Sequence, residues 1–389
     1  MDLTHTAFGT WSGGRFMHFG ESLSEERFIS LIQLAYESGV RTFVTSDVYG
    51  VGRADQILGQ ALRGIDRNTY CLVGMLGHDI YEGKRQGSKG YPRFSDPSLR
   101  SPKEYSSFLK MAAEKSLENC STDKFDLVLL HNPDERGYSD PLVWEAMSEL
   151  KELGLTDMLG IAPGPANGFT LDLIYNFEEF GNLIDWAMII LNPLEPWPGR
   201  LCLKAAEKSD INILTRVVDY GGIFHGTMTA NHNFREGDHR TYRPTGWVER
   251  GLEKVEKMRP ILSKYNLSEL HFSCLWNLAH GPVRSVVPTF IQEAGEEAKA
   301  IEELVKEFGS LQINNPFSDE EIEEIASIGD NTGCMTLKGA SNRHVESLRP
   351  DEWPMKPELM EIAERHDLGL SLIHISEPTR PERISYAVF

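Results

Sequence analysis

The chain has 389 residues, 40% hydrophobic and 25% charged, a composition that fits a soluble globular protein with a substantial core. A formal net charge of −19 argues against nucleic acid or an anionic membrane as main partner, because so acidic a surface repels phosphate polyanions, and it says little about a small ligand, whose site can differ locally from the average. Five scattered cysteines (Cys71, Cys120, Cys202, Cys274, Cys334) with no CxxC or zinc spacing, no basic-then-apolar N-terminal segment and no apolar run near ~18 residues predict a cytoplasmic chain with reduced thiols, no metal, no leader and no membrane span. Oligomeric state is left open.

Short apolar runs alternate with stretches of 3.6-residue periodicity along most of the chain. A first strand is expected at 7–10, then a helix at 24–38, started by Ser24 ahead of Glu25 and Glu26 and stopped at Gly39. Strands at 41–45 and 70–74 follow, the second leading into a long connection, 78–101, rich in Gly, Lys, Arg and Pro. Next come a helix at 102–119, a strand at 125–130, a helix at 141–153 closed by Gly154, and strands at 158–162, 186–191 and 211–217. A second long connection, 221–245, carries the polar string Phe234-Arg235-Glu236-Gly237-Asp238-His239-Arg240. A helix at 247–265, a strand at 283–287 and a helix at 296–308 complete eight β-then-α units.

This order predicts the α/β class and a (β/α)8 TIM barrel over residues 1–308, with its site at the C-terminal ends of the strands and its long loops as lids or binding loops. An extension, 309–369, with an acidic helix at 318–328, is expected to pack on the barrel. Residues 370–389 resemble the conceptual translation of a sequencing adapter and primer, so they are read as a non-native tail.

The strand ends gather chemistry. Asp47 and Tyr49 follow the second strand, Met75, His78 and Asp79 the third, and His131 with Asn132 the fourth. Trp11, Trp186, Trp197 and Tyr220 lie at or near strand ends, with Asp79, Asn192, Glu195 and Asp219 among them. Aromatic faces beside hydroxyl acceptors suit a polyhydroxylated ligand, although aromatic residues that merely pack the loops would give the same pattern. Arg216, ending the seventh strand, is a local source of positive charge, and Met75 reads as core filler or an apolar pocket wall.

An ordered string of motifs resembles the aldo-keto reductase superfamily over about the first 310 residues. It runs through Phe8-Gly9-Thr10-Trp11, Gly39-Val40-Arg41-Thr42-Phe43, Asp47-Val48-Tyr49-Gly50-Val51-Gly52 and Leu58-Gly59-Gln60-Ala61-Leu62. It continues with Thr122-Asp123-Lys124-Phe125-Asp126-Leu127, His131-Asn132-Pro133-Asp134 and Met158-Leu159-Gly160-Ile161. The resemblance implies a barrel that binds a nicotinamide cofactor without a Rossmann fold. It makes Tyr49 the general acid, Asp47 its supporting carboxylate and His131 a polarising donor, while strand-end position places Trp11, Met75, His78, Asp79, Asn132, Trp186, Trp197 and Tyr220 as expected substrate contacts.

The sequence departs from that pattern at Met75, where the family carries a lysine: methionine brings neither the charge that favours a phenolate nor a strong hydrogen bond. Ala162-Pro163 replaces a Ser-Asn pair and Met188 a glutamine. Cofactor contacts are expected from Asn192, Arg216, Asp219, Gly221, Thr289 and Gln292, and from Lys338 and Arg343 in the string Leu337-Lys338-Gly339-Ala340-Ser341-Asn342-Arg343-His344. The segment after the eighth strand, 288–293, lacks basic residues for a 2′-phosphate, which tilts the expectation from NADP toward NAD. The resemblance therefore implies an oxidoreductase acting on a carbonyl or alcohol of a small, polar, sugar-like substrate. A lyase, epimerase or glycoside-cleaving enzyme without net redox is the alternative, and a ligand-binding member without turnover the third reading.

Overall fold

The structure, a computed structural model, describes residues 1–86, 90–164, 169–295, 298–334, 337 and 356–368. Lys338, Arg343 and the 370–389 tail lie outside the described residues. Eight parallel strands follow one another around a single sheet in sequence order: β1 (Ala7–Gly9), β2 (Thr42–Ser46), β3 (Cys71–Leu76), β4 (Phe125–His131), β5 (Thr156–Ala162), β6 (Trp186–Ile190), β7 (Asn212–Arg216) and β8 (Val283–Val287). A parallel bridge between Thr6 and Val286, with Val286 N donating to His5 O at 2.9 Å, brings the last strand back to the first. The expected (β/α)8 barrel is the fold.

Around it run α1 (Glu25–Glu37), α2 (Arg53–Ala61), α3 (Tyr105–Cys120), α4 (Glu135–Ser139), α5 (Pro141–Glu152), α6 (Thr170–Phe180) and α7 (Gly199–Lys208). Then come α8 (Trp247–Lys264), α9 (Glu269–Leu278), α10 (Ile301–Gly309), α11 (Asp319–Gly329) and α12 (Pro357–Arg365). Their starts are chemically marked. Ser24 accepts the Arg27 amide at 3.2 Å, Asp140 accepts that of Leu142 at 3.0 Å ahead of Pro141, and Ser318 with Glu321 forms a reciprocal capping box. The helix expected at 296–308 begins later, at Ile301, after Gly295 takes a positive φ of 110°. Short α4, and α9 and α12, are additions to the elements expected from sequence. Beyond the barrel, α11 lies against α8 and α12 against α6. No helix among the described residues is long and apolar enough to cross a membrane.

Strand interiors are buried on both faces, as a parallel sheet covered by helices requires. Gly160 is obligatory at the β5–β6 contact: a Cβ there would stand 2.1 Å from the Trp186 carbonyl oxygen. Direction of travel settles which residues can form a site. Ser46, Leu76, His131, Ala162 and Arg216 end their strands and rim the mouth of the barrel, whereas Trp186 is the first residue of β6, paired with Gly160 and Asn212. The expectation that Trp186 faces substrate is corrected: it stands at the N-terminal end of its strand, away from the mouth.

Candidate active site

Alternation along β2 decides which of its side chains reach the lumen. Thr45 turns outward, where its hydroxyl donates to Asp55 Oδ1 at 2.6 Å and the other Asp55 oxygen accepts from Ser116 at 2.6 Å. Ser46 therefore turns inward, with Oγ 2.8 Å from the Met75 carbonyl and 2.9 Å from His131 Nδ1. Met75 is its register partner on β3 and is buried, so the place of the family's lysine is apolar.

Asp47, one residue on, is buried with Oδ2 lacking a hydrogen-bond partner. Burial, then the neighbouring Asp55 carboxylate, pushes its pKa well above the usual range, and the Tyr81 phenol is a further neighbour. The groups that act on Asp47 are thus Asp55, Ser46 and Tyr81. The charge that acts on Tyr49 is that of Arg216.

Tyr49 sits in a tight turn between β2 and α2, held by Tyr49 N to Ser46 O at 3.1 Å and Gly52 N to Asp47 O at 2.6 Å. Gly50 and Gly52 take positive φ angles of 60° and 83° in that turn, and a Cβ on Gly50 would strike the Phe16 ring at 2.6 Å. The turn packs the Tyr49 ring edge-on against Trp11 (centroids 6.3 Å apart) and His131 (5.8 Å). Burial raises the phenol pKa above its ordinary value and Arg216 pulls it back. His131, ending β4, is held neutral: burial, with Arg93 and Arg216, pushes it down to about 3.

His78 lies 5.1 Å from His131, ring centroid to centroid. Arg93 Nη1 stands 3.0 Å from His78 Nδ1, and an arginine only donates, so Nδ1 accepts and the His78 proton sits on Nε2. Asn132 Nδ2 stands 3.2 Å from that nitrogen, and with the proton on Nε2 the amide turns its oxygen toward it instead. Arg93 Nε also donates to the Asn132 carbonyl, fixing Asn132 at a φ of 45°.

Other expected site residues are committed elsewhere. Asp79 is buried and pairs with Arg100 at 2.6 Å while accepting the Tyr81 and Glu82 amides, so it organises the 78–101 loop. The Asn192 side chain spans Glu195, Val217 O and the Leu194 amide. Trp197 is tied through both backbone polar groups to Asn331. Tyr220 packs edge-on against Trp247 with the Arg243 guanidinium 4.4 Å above its ring, on the β7–α8 connection. Gln292 accepts from Arg27 at 2.8 Å and from the Ile301 amide at 3.2 Å.

The loops after β7 and β8 meet where the resemblance places a nicotinamide cofactor. Trp11 Nε1 donates to Thr289 Oγ1 at 3.2 Å, and the Thr289 amide donates to Asp219 Oδ1 at 2.8 Å. Asp219 Oδ2 is buried with no hydrogen bond, and burial pushes this carboxyl up to about 6. Gly221 and Gly222 take φ angles of 66° and 98°, and the Trp247, Arg240, His225 and Glu293 side chains pack over them. His225 Nε2 stands 3.4 Å from that Asp219 oxygen, and a buried carboxylate oxygen without a hydrogen bond fits the polar part of a dinucleotide. Ala162 and Met188 give its carboxamide no hydrogen-bonding side chain from β5 or β6. Arg240 in the polar string is closed by Asp238 at 2.8 Å and Glu293 at 2.5 Å, so its charge is already matched.

The geometry thus joins Trp11, Tyr49, His78, His131, Asn132 and Arg216 around one mouth. It adds Ser46, legible from period-two alternation and the Met75 register, and Arg93, which sits in a loop whose sequence carries no positional signal.

The Aldo/keto reductase family profile matches residues 6–330. An uncharacterized oxidoreductase of Bacillus subtilis is 24% identical over 292 residues, 74% of this chain and 83% of that protein. A probable voltage-gated potassium channel subunit beta of rice is 22% identical, covering 84% of this chain and 93% of its own. Among solved structures, the glycerol dehydrogenase AKR11B4 of Gluconobacter oxydans superposes with a TM-score of 0.65 at 20% identity, covering 92% of this chain and 95% of that one. An aldo/keto reductase from Klebsiella pneumoniae in complex with NADP and acetate does so at 0.55 and 17% identity, covering 84% and 91%. With more than half its length matched by the family profile and its eight strands in the same barrel, the chain belongs to the aldo/keto reductase family.

Proposed function

We propose that this chain is an oxidoreductase that interconverts a carbonyl and an alcohol on a small, polar, sugar-like molecule at the barrel mouth, with NAD or NADP. The observation that carries this reading is the Tyr49 phenol packed edge-on against a neutral His131, with the Arg216 charge acting on both. In it Tyr49 Oη exchanges a proton with the substrate oxygen. Arg216 supplies the positive charge that Met75 does not, and Trp11 and Met75 form apolar walls. The glycerol of the Gluconobacter glycerol dehydrogenase is a polyol, compatible with a sugar-like substrate.

A bound nicotinamide would supply hydride transfer. Arg216, Asp219, Gly221 and Thr289 are the described residues we assign to holding it, with Asn192 and Gln292 as backbone-ordering neighbours. The tilt toward NAD draws no support from the Klebsiella neighbours, which were solved in complex with NADP and NADPH. The charge of Arg240 is already matched, so it is not assigned to a 2′-phosphate.

One observation favours the second reading, a lyase, epimerase or glycoside-cleaving enzyme: with Met75 beside Ser46, no ammonium among the described residues lowers the raised pKa of Tyr49. Quenching of tryptophan fluorescence by NADH and NADPH, followed by turnover on a polyol and aldose panel with Tyr49→Phe as control, separates the readings. Binding of a nicotinamide with turnover lost in Tyr49→Phe supports the first. Binding of neither sinks it.

A further inference from the structure

Ser46 has three polar neighbours and only one proton to share among them. Its hydroxyl lies 2.8 Å from the Met75 carbonyl, 2.9 Å from His131 Nδ1 and 3.5 Å from Asp47 Oδ1. A backbone carbonyl can only accept, and two oxygens 2.8 Å apart with no hydrogen between them repel, so the Ser46 proton points at Met75 O. The Asp47 contact is at the outer limit of hydrogen bonding and, whether that carboxyl is charged or neutral, it does not free the Ser46 proton.

His131 Nδ1 therefore faces a lone pair of Ser46 Oγ and must bring its own hydrogen. A neutral imidazole carries one proton, so with Nδ1 protonated Nε2 is bare. Among the described residues Nε2 has no hydrogen-bond partner, which makes it the ring atom left for a ligand.

We propose that Ser46 is a positioning residue that locks His131 in its Nδ1–H tautomer, so that Nε2 presents a lone pair to the mouth and accepts a hydrogen bond from a substrate hydroxyl. The resemblance implied a polarising donor at this position, and this arrangement reverses that polarity. A carbonyl oxygen has only lone pairs and would meet the Nε2 lone pair unfavourably. A hydroxyl can donate to Nε2 while its oxygen accepts from Tyr49 Oη–H. The site is therefore built to hold the alcohol partner of the carbonyl/alcohol pair. That last step rests on the proposed oxidoreductase reading; the tautomer does not. The edge-on contact between His131 and His78 is consistent with both rings staying neutral, since each lies within reach of an arginine charge.

The test is long-range proton–nitrogen NMR on protein labelled with nitrogen-15 histidine, the His131 signals being assigned by their loss in His131→Gln. In the unmodified protein His131 is expected to show a protonated Nδ1 and a bare Nε2. Ser46→Ala should raise the Nε2–H population about tenfold, the change expected when one hydrogen bond's preference is removed, and Ser46→Thr should restore the original tautomer. Glycerol and dihydroxyacetone, an alcohol and ketone of equal carbon number, then serve as probes, with glycerol alone expected to shift the Nε2 resonance.

A protonated Nε2 in the unmodified protein overturns the proposal without any variant. So does a tautomer that Ser46→Ala leaves unchanged. A shift with dihydroxyacetone and not glycerol, or with neither, overturns the assignment of the hydroxyl. Failure of the oxidoreductase reading would instead show as absent nicotinamide quenching with the tautomer intact.

Discussion

Asp55 is a buried acid that works against the fold at neutral pH, and Asp55→Asn should show by how much. The carboxyl is fully buried between α2 and α3, with Thr45 and Ser116 each donating to one oxygen at 2.6 Å. Burial raises it from 3.8 to about 6 against the pull of those two donors. A folded value above the unfolded one means that the native state holds the proton more tightly. The contribution is fully present below about pH 3.8 and lost as pH rises through about 6. Integrated over that span the loss is about 3 kcal/mol, and most of it, roughly 2 kcal/mol, falls between about pH 4 and 7.

Asparagine has the same shape and no charge, and the Ser116 hydroxyl can turn to accept from its amide. Urea unfolding of both proteins across this range should therefore give a stability difference, variant minus parent, that grows by roughly 2 kcal/mol in favour of the variant from about pH 4 to 7. Because Asp55 also raises the Asp47 pKa, the variant should lower Asp47 in the same titration. A difference that stays flat with pH, or that falls, would refute the reasoning: the Asp55 carboxylate would then be fully stabilised by its two hydroxyl donors.

Three further outcomes follow from the same geometry. Gly160→Ala should cost more than about 3 kcal/mol in urea unfolding, because its Cβ would lie 2.1 Å from a backbone carbonyl that only a shift of β6 can move. Arg216→Met should raise the His131 pKa from about 3 and raise Tyr49 further, since a cation disfavours protonation of the first and favours ionisation of the second; an NMR titration of His131 reads the first directly. Arg100→Met should strand the buried Asp79 carboxylate and cost about 3–5 kcal/mol, with faster proteolytic cleavage within residues 78–101 as the local signature.

The barrel was legible because its signals are local and repeated. Apolar strands alternate with periodic helices, and Ser24 and Ser318 announce their helices by hydrogen bonds made within a single turn. Tyr49 and His131 were legible for a related reason: each follows an apolar strand, so chain direction alone carries it to the mouth. Trp186 fails by that same rule, because it opens its strand. Loop residues were harder. Asp79, Asn192 and Gln292 look like ligand contacts in sequence, but a loop running over a barrel must satisfy its own backbone amides, and these side chains do so.

The order of side chains at the end of β2 follows from the period of two. Thr45 faces Asp55, so Ser46 must face the lumen, and the acid one residue later falls among Asp55 and Tyr81. A motif read as a string gives Asp47 and Tyr49 the same standing. A motif read as a strand end gives the lumen to Ser46, whose small hydroxyl looks inert in sequence. With methionine as its register partner and histidine across from it, that hydroxyl sets the proton of the His131 imidazole that packs against Tyr49. Loss of the lysine charge at Met75 and orientation of His131 by Ser46 are thus two consequences of one layer of the barrel, contributed by β2, β3 and β4. The chemistry of this chain should change more on altering Ser46 than on altering Asp47.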